Sequence, residues 1–104
     1  MTTLFSQFKS SEGISLNFDS SLRLQGISIL DYPEEAAGKR VTVFADVKAT
    51  KLDGNELNQH VAIAAFVLGK TFNEELDLLF SPSEDVALSC KGPEATLQIQ
   101  YIDQ

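Results

Sequence analysis

A chain of 104 residues, 43% hydrophobic and 22% charged, has room for one core and too much apolar content for disorder or a fibrous repeat. Eight basic residues against fifteen acidic ones leave a net charge of -7, the wrong sign for gripping nucleic-acid phosphates or an anionic membrane. The longest apolar run, residues 61–68, is far short of a membrane-spanning helix.

Along the chain, residues 1–12 are ambiguous. Leu4, Phe5 and Phe8 fit one helical turn, while their polar neighbours fit a loose arm. From Gly13 onward period-two alternation takes over. Ile14, Leu16 and Phe18 share one face, and after the turn at 19–21 Leu22 and Leu24 share another. Ile27 and Ile29 then take the opposite phase, so Gly26 is expected to mark a β-bulge that keeps both pairs inward. Residues 32–38 are expected to hold a single helical turn, with Asp31 as cap, Pro33 early and Gly38 as terminator.

Val41, Val43, Ala45, Val47 and Ala49 form the most regular half-buried strand, with Phe44 the one large apolar side chain on its polar face. Residues 61–68 are apolar in both phases, which predicts a central strand covered on both faces. Further strands are expected over 72–80, 86–90 and 95–101. Asp53-Gly54-Asn55, Gly69-Lys70 and Gly92-Pro93 read as tight turns, and residues 81–84 as a short loop.

The sum is a single all-β domain over 1–104 with about seven antiparallel strands. Two architectures fit: an immunoglobulin-like β-sandwich or a flattened meander barrel. The immunoglobulin hallmarks are missing, since there is no tryptophan, one cysteine only, and Leu88 where a tyrosine would precede Cys90 by two. The lone Cys90 cannot form an internal disulfide, and residues 1–9 lack the pattern of a signal peptide, so a reducing cytoplasmic setting is expected.

Few residues support catalysis. Cys90 lies in phase with Val86 and Leu88 and reads as a buried hydrophobe, which leaves His60, the single histidine, without a nucleophile. One histidine and one cysteine cannot furnish a zinc site, and no glycine-rich loop leads into a helix to cradle phosphate. Calcium has more oxygen donors to draw on. Asp31, Glu34, Glu35, Glu84 and Asp85 are expected to share one end of the domain, away from Asp53 and Glu56 at the other, and tight binding is not expected from so divided a set. The chain is therefore read as non-catalytic, with no cofactor and no metal. A small-ligand or calcium-binding module using the acidic loops is the alternative.

Association is the favoured activity. Residues 1–51 balance six acidic against six basic side chains, whereas residues 52–104 hold nine acidic ones against Lys70 and Lys91, so the second half carries the whole surplus and suits a basic protein partner. The last strand has no lysine, proline or internal charge. It is read as an unguarded edge whose outward Thr96, Gln98 and Gln100 pair with a partner strand, a homodimer being the simplest outcome.

Overall fold

The computed structural model describes residues 2–18, 20–50, 54, 56–82 and 84–103. Among them eight antiparallel strands form: β1 (Thr3–Lys9), β2 (Ile14–Leu16), β3 (Leu22–Asp31), β4 (Arg40–Thr50), β5 (Glu56–Val67), β6 (Asn73–Phe80), β7 (Glu84–Lys91) and β8 (Thr96–Asp103). They make two four-stranded sheets, ordered β1-β8-β3-β6 and β2-β7-β4-β5.

The pairing is nested. β4 bonds β5, β3 bonds β6, β2 bonds β7 and β1 bonds β8, as if one long hairpin with β4 and β5 at its head had been rolled into two layers. Only β4 and β5 are consecutive strands of one sheet; every other connection crosses between layers. This is the jelly-roll arrangement. The all-β sandwich is as expected, but both finer architectures give way to it. Short connections that suggested hairpins instead turn corners between the sheets, so neither an immunoglobulin order nor a meander forms.

The eighth strand is β1. Its register, with Phe8 opposite Leu97 and Leu4 opposite Tyr101, sends Leu4, Ser6 and Phe8 toward the core side. Only Phe8 is buried, so the alternation in this segment is faint. Ser10 secures the end of the strand: its amide donates to the Ala95 carbonyl at 2.8 Å, and its buried hydroxyl accepts the Ala95 amide at 2.8 Å.

The core lies between the layers. Leu22, Leu24, Ile27 and Ile29 of β3 and Leu97 and Ile99 of β8 face Val41, Val43 and Ala45 of β4, Phe66 of β5 and Val86 and Leu88 of β7. The bulge falls where the phase change placed it: pairing slips between Leu24 and Gly26 against both neighbours, with Gln25 the extra residue against β8 and, against β6, Leu76 and Asp77 set opposite Gln25 alone. The helical turn between β3 and β4 is a 3-10 turn, Glu34–Ala36, flanked by Pro33 and closed by Gly38 in a left-handed conformation. Asp31 does not cap it; its carboxylate accepts the Tyr32 amide instead, at 2.9 Å. At the β7–β8 corner Gly92 has φ +134°, and a Cβ there would lie 2.4 Å from the Arg40 carbonyl oxygen. No other residue type fits that approach.

β5 departs from expectation. It pairs with β4 alone and ends its sheet, so it is not central. Ala64 and Phe66 turn into the core, but Ala62 and Ala65 face outward and are exposed, and Val61 is 50% exposed. The run is apolar in both phases although a single chain covers only one of its faces.

The two faces of β5 are expected to respond differently to substitution. Phe66→Ala removes a fully buried ring and is expected to cost about 3–5 kcal/mol, whereas Ala65→Ser on the outer face should stay within about 0.5 kcal/mol. Thermal melts of the two variants check the assignment; equal destabilisation contradicts it.

Candidate interaction surface

The outer face of β2-β7-β4-β5 is built around the outward row of β4: Thr42, Phe44, Asp46 and Lys48. β5 has its own bulge beside this row. Val43 pairs with Ala64 and Phe44 with Ala62, so Ile63 is skipped, and Ala62 and His60 thereby join the outer face. The His60 ring stacks on Phe44, with centroids 4.3 Å apart and planes 14° from parallel. This explains how a large aromatic is accommodated on a polar face.

Asp46 organises the neighbourhood. One carboxylate oxygen meets His60 Nδ1, and the other accepts the Ser89 hydroxyl from β7 at 2.8 Å. These hydrogen bonds, His60 first and Ser89 second, hold the Asp46 carboxyl below the usual carboxylate range. The order Ser89–Asp46–His60 sets the carboxylate between hydroxyl and imidazole, so the histidine does not contact the serine it would have to deprotonate. Cys90 is on the other side of the sheet. It pairs with inward Val43, whereas His60 pairs with outward Asp46, and burial pushes the thiol up to about 11. The cluster is suited to contact and positioning. An open groove of about 610 Å³ runs beside it, lined by Ser15, Asp46, Lys48, Asn58, His60 and Asp85 among others.

The expected edge is not an edge. β8 lies between β1 and β3, so its backbone donors and acceptors are taken on both sides and no partner strand can add there. The reason is β1, the segment read as an arm. The homodimer built through that strand loses its basis with this placement. Thr96, Gln98 and Gln100 do lie together on the outer face of the β1-β8-β3-β6 sheet, where Gln100 Nε2 donates to Gln25 Oε1 at 3.3 Å.

The acidic loops are also placed differently. β6 runs antiparallel to β3 with Phe80 opposite Leu22, so the connection to Glu84 opens where β3 begins, whereas Asp31 stands where β3 ends. Glu84 and Asp85 are thus a strand's length from Asp31, Glu34 and Glu35, because alternating strands send the connections after β3 and β6 to opposite ends. Asp85 stands opposite Lys48 instead. Asp53 and Asn55 lie outside the described residues. Among the described residues no three histidine, cysteine or carboxylate side chains gather as a metal site.

The true edges are β1, β6, β2 and β5. β6 carries Glu74, Glu75 and Asp77, with Asp77 bridged to Arg23 across to β3. β2 is three residues long. β5 is twelve residues long and, beyond Glu56, carries no carboxylate, lysine, arginine or proline. That makes it the least guarded edge of the four. Both β5 as an edge and the Asp46 cluster go beyond the pattern reading; the signals for them were the two-phase apolar run and the odd position of Phe44.

No protein-family model matches this sequence, and no curated protein matches it in sequence. Its fold is similar to that of the Drosophila NLP-core, whose crystal structure provides insight into pentamer formation and histone binding. The TM-score is 0.68 at 16% identity, covering 98% of this chain and 99% of that one. It is also similar to the nucleoplasmin-like N-terminal domain of Drosophila FKBP39, with a TM-score of 0.62 at 14% identity, covering 98% and 90% of the two chains. At such identities the likeness is one of fold.

Because the Asp46 carboxyl is depressed in the folded state, its stabilising contribution is present above its unfolded pKa and fades as pH falls through the folded value. The gap in stability between wild type and Asp46→Asn is therefore expected to be full above about pH 4 and to shrink as the pH falls below it. The site is solvent-exposed, so the gap should be below about 1 kcal/mol. Urea melts of both proteins across that range check it; a gap that widens on acidification contradicts the assignment.

Proposed function

We propose that this domain is a non-catalytic module that assembles with copies of itself and binds basic proteins, histones in particular. The observation that carries the reading is the overlap of nearly the whole chain with nearly the whole NLP-core fold, a protein described in terms of pentamer formation and histone binding. Charge supports it independently, since a net -7 attracts lysine- and arginine-rich partners over distance and accelerates their encounter.

The surface we assign to the basic partner is the outer face of β1-β8-β3-β6. There Glu75 and Asp77 of β6 line a shallow site with Arg23, Gln25 and Gln100, and Thr96 and Gln98 continue the same face. Carboxylates would receive lysine and arginine heads while the glutamine amides and the threonine hydroxyl supply hydrogen bonds around them. Glu75 makes no ion pair among the described residues, so its charge is available.

Two measurements separate the halves of this reading. Light scattering is expected to give a particle of about 57 kDa, five times the 11.4 kDa chain, and a monomer at high micromolar concentration contradicts assembly. Core histones are expected to bind with an affinity that falls as salt is raised, and Glu75→Lys should weaken them severalfold without altering the particle mass. Unchanged affinity in that variant contradicts the assigned face, and no binding at about 100 mM salt contradicts the histone reading.

A further inference from the structure

We infer that copies of this chain meet head to tail, the β5 flank of one against the β1–β2 flank of the next. This rests on the self-association proposed above and adds which surfaces meet. The rolled topology leaves two flanks. β1 and β2 are joined through residues 10–13 and β5 and β6 through residues 68–72, connections too short to cross the molecule, so each pair of edge strands lies at one side of the sandwich.

Both flanks carry apolar side chains that one chain leaves uncovered. On the β5 side these are Val61, Ala62 and Ala65; on the β1 side they are Leu4 and Phe5, the latter 58% exposed. A second copy suits the β5 flank because the strand carries no carboxylate, lysine or arginine between residues 57 and 67. In a molecule of net charge -7, contact between copies is least opposed where no carboxylate stands.

Charge also decides the arrangement. An antiparallel β5–β5 pairing, the symmetric alternative, draws the β6 edges of both copies together and sets Glu74, Glu75 and Asp77 of one beside those of the other. The β1–β2 flank instead offers strands whose one charged residue is Lys9, with no carboxylate in either. Head-to-tail contact therefore sets the acidic β6 edge against neutral or basic surface and covers Leu4 and Phe5 with the same contact. Since each copy uses two different surfaces, repetition generates a ring if the rotation closes, and not a dimer.

The test uses one substitution on each flank, both at exposed positions: Ala62→Glu on β5 and Phe5→Glu on β1, with Ala65→Glu as a second β5 variant. Circular dichroism confirms the fold, and sedimentation reads the mass. Each variant alone is expected to be monomeric at concentrations where wild type is assembled. Mixed one to one, Ala62→Glu and Phe5→Glu are expected to form a dimer and nothing larger, because the intact β5 flank of one meets the intact β1–β2 flank of the other. Monomeric variants that fail to combine overturn the head-to-tail arrangement. Assembly that survives in either Phe5→Glu or both β5 variants overturns the assigned flank while leaving self-association standing. A monomeric wild type removes both together.

Discussion

A strand that ends a sheet presents one side of its backbone and one face of its side chains to whatever lies outside the chain. In this molecule the strand in that position is β5, twelve residues with apolar side chains on both faces. Its inner face is packed into the core at Ala64 and Phe66, while Ala62 and Ala65 on the outer face are exposed and Val61, opposite inward Ala45, is half-exposed. Backbone groups without partners and apolar surface in water both favour a further contact. The rolled topology produces this condition: the β4–β5 hairpin is the innermost fold of the roll, and the partners of β5 end with β4.

The same topology divides the remaining surface by chemistry. The acidic surplus of the second half does not collect into one patch, because β6 and β7 go to different sheets. It is densest along β6, where it guards one edge, and Asp77 is already engaged by Arg23. On the opposite sheet Asp46 gathers Ser89 and His60, and the imidazole in turn covers Phe44. That network spans β7, β4 and β5, so it ties the exposed edge strand to the interior of its sheet. A surface meant for contact gains from such anchoring, since side chains already held in place lose less freedom on binding.

How much of this was legible depended on whether the controlling contacts were local. The alternation of Val41, Val43 and Ala45 and the phase change at Gly26 arise from the residues themselves and their nearest neighbours in the strand, so strand positions and the bulge followed from the pattern. Strand order did not. Whether a turn such as Gly92-Pro93 joins two strands of one sheet or crosses between layers depends on tertiary packing, here the approach of Gly92 to the Arg40 carbonyl. β1 is obscured because only Phe8 of its inward residues is buried. Residues apolar in both phases, as in the run at 61–68, need cover on both faces, but nothing in the pattern says that the cover must come from the same chain. Of the candidate contact residues, Thr96, Gln98 and Gln100 share an outer face as alternation requires, yet their strand is internal because of β1. The Asp46–His60–Ser89 cluster joins three strands across two pairings and left only the position of Phe44 as a trace.

The most direct test of β5 as the strand completed from outside is amide hydrogen exchange measured above and below the concentration at which the proposed assembly forms. The account requires the amides of residues 58–67 to slow markedly on assembly, together with those of β1, while the interior strands β3 and β8 change little. Exchange on β5 that stays as fast in the assembled protein as in the dilute monomer would contradict it.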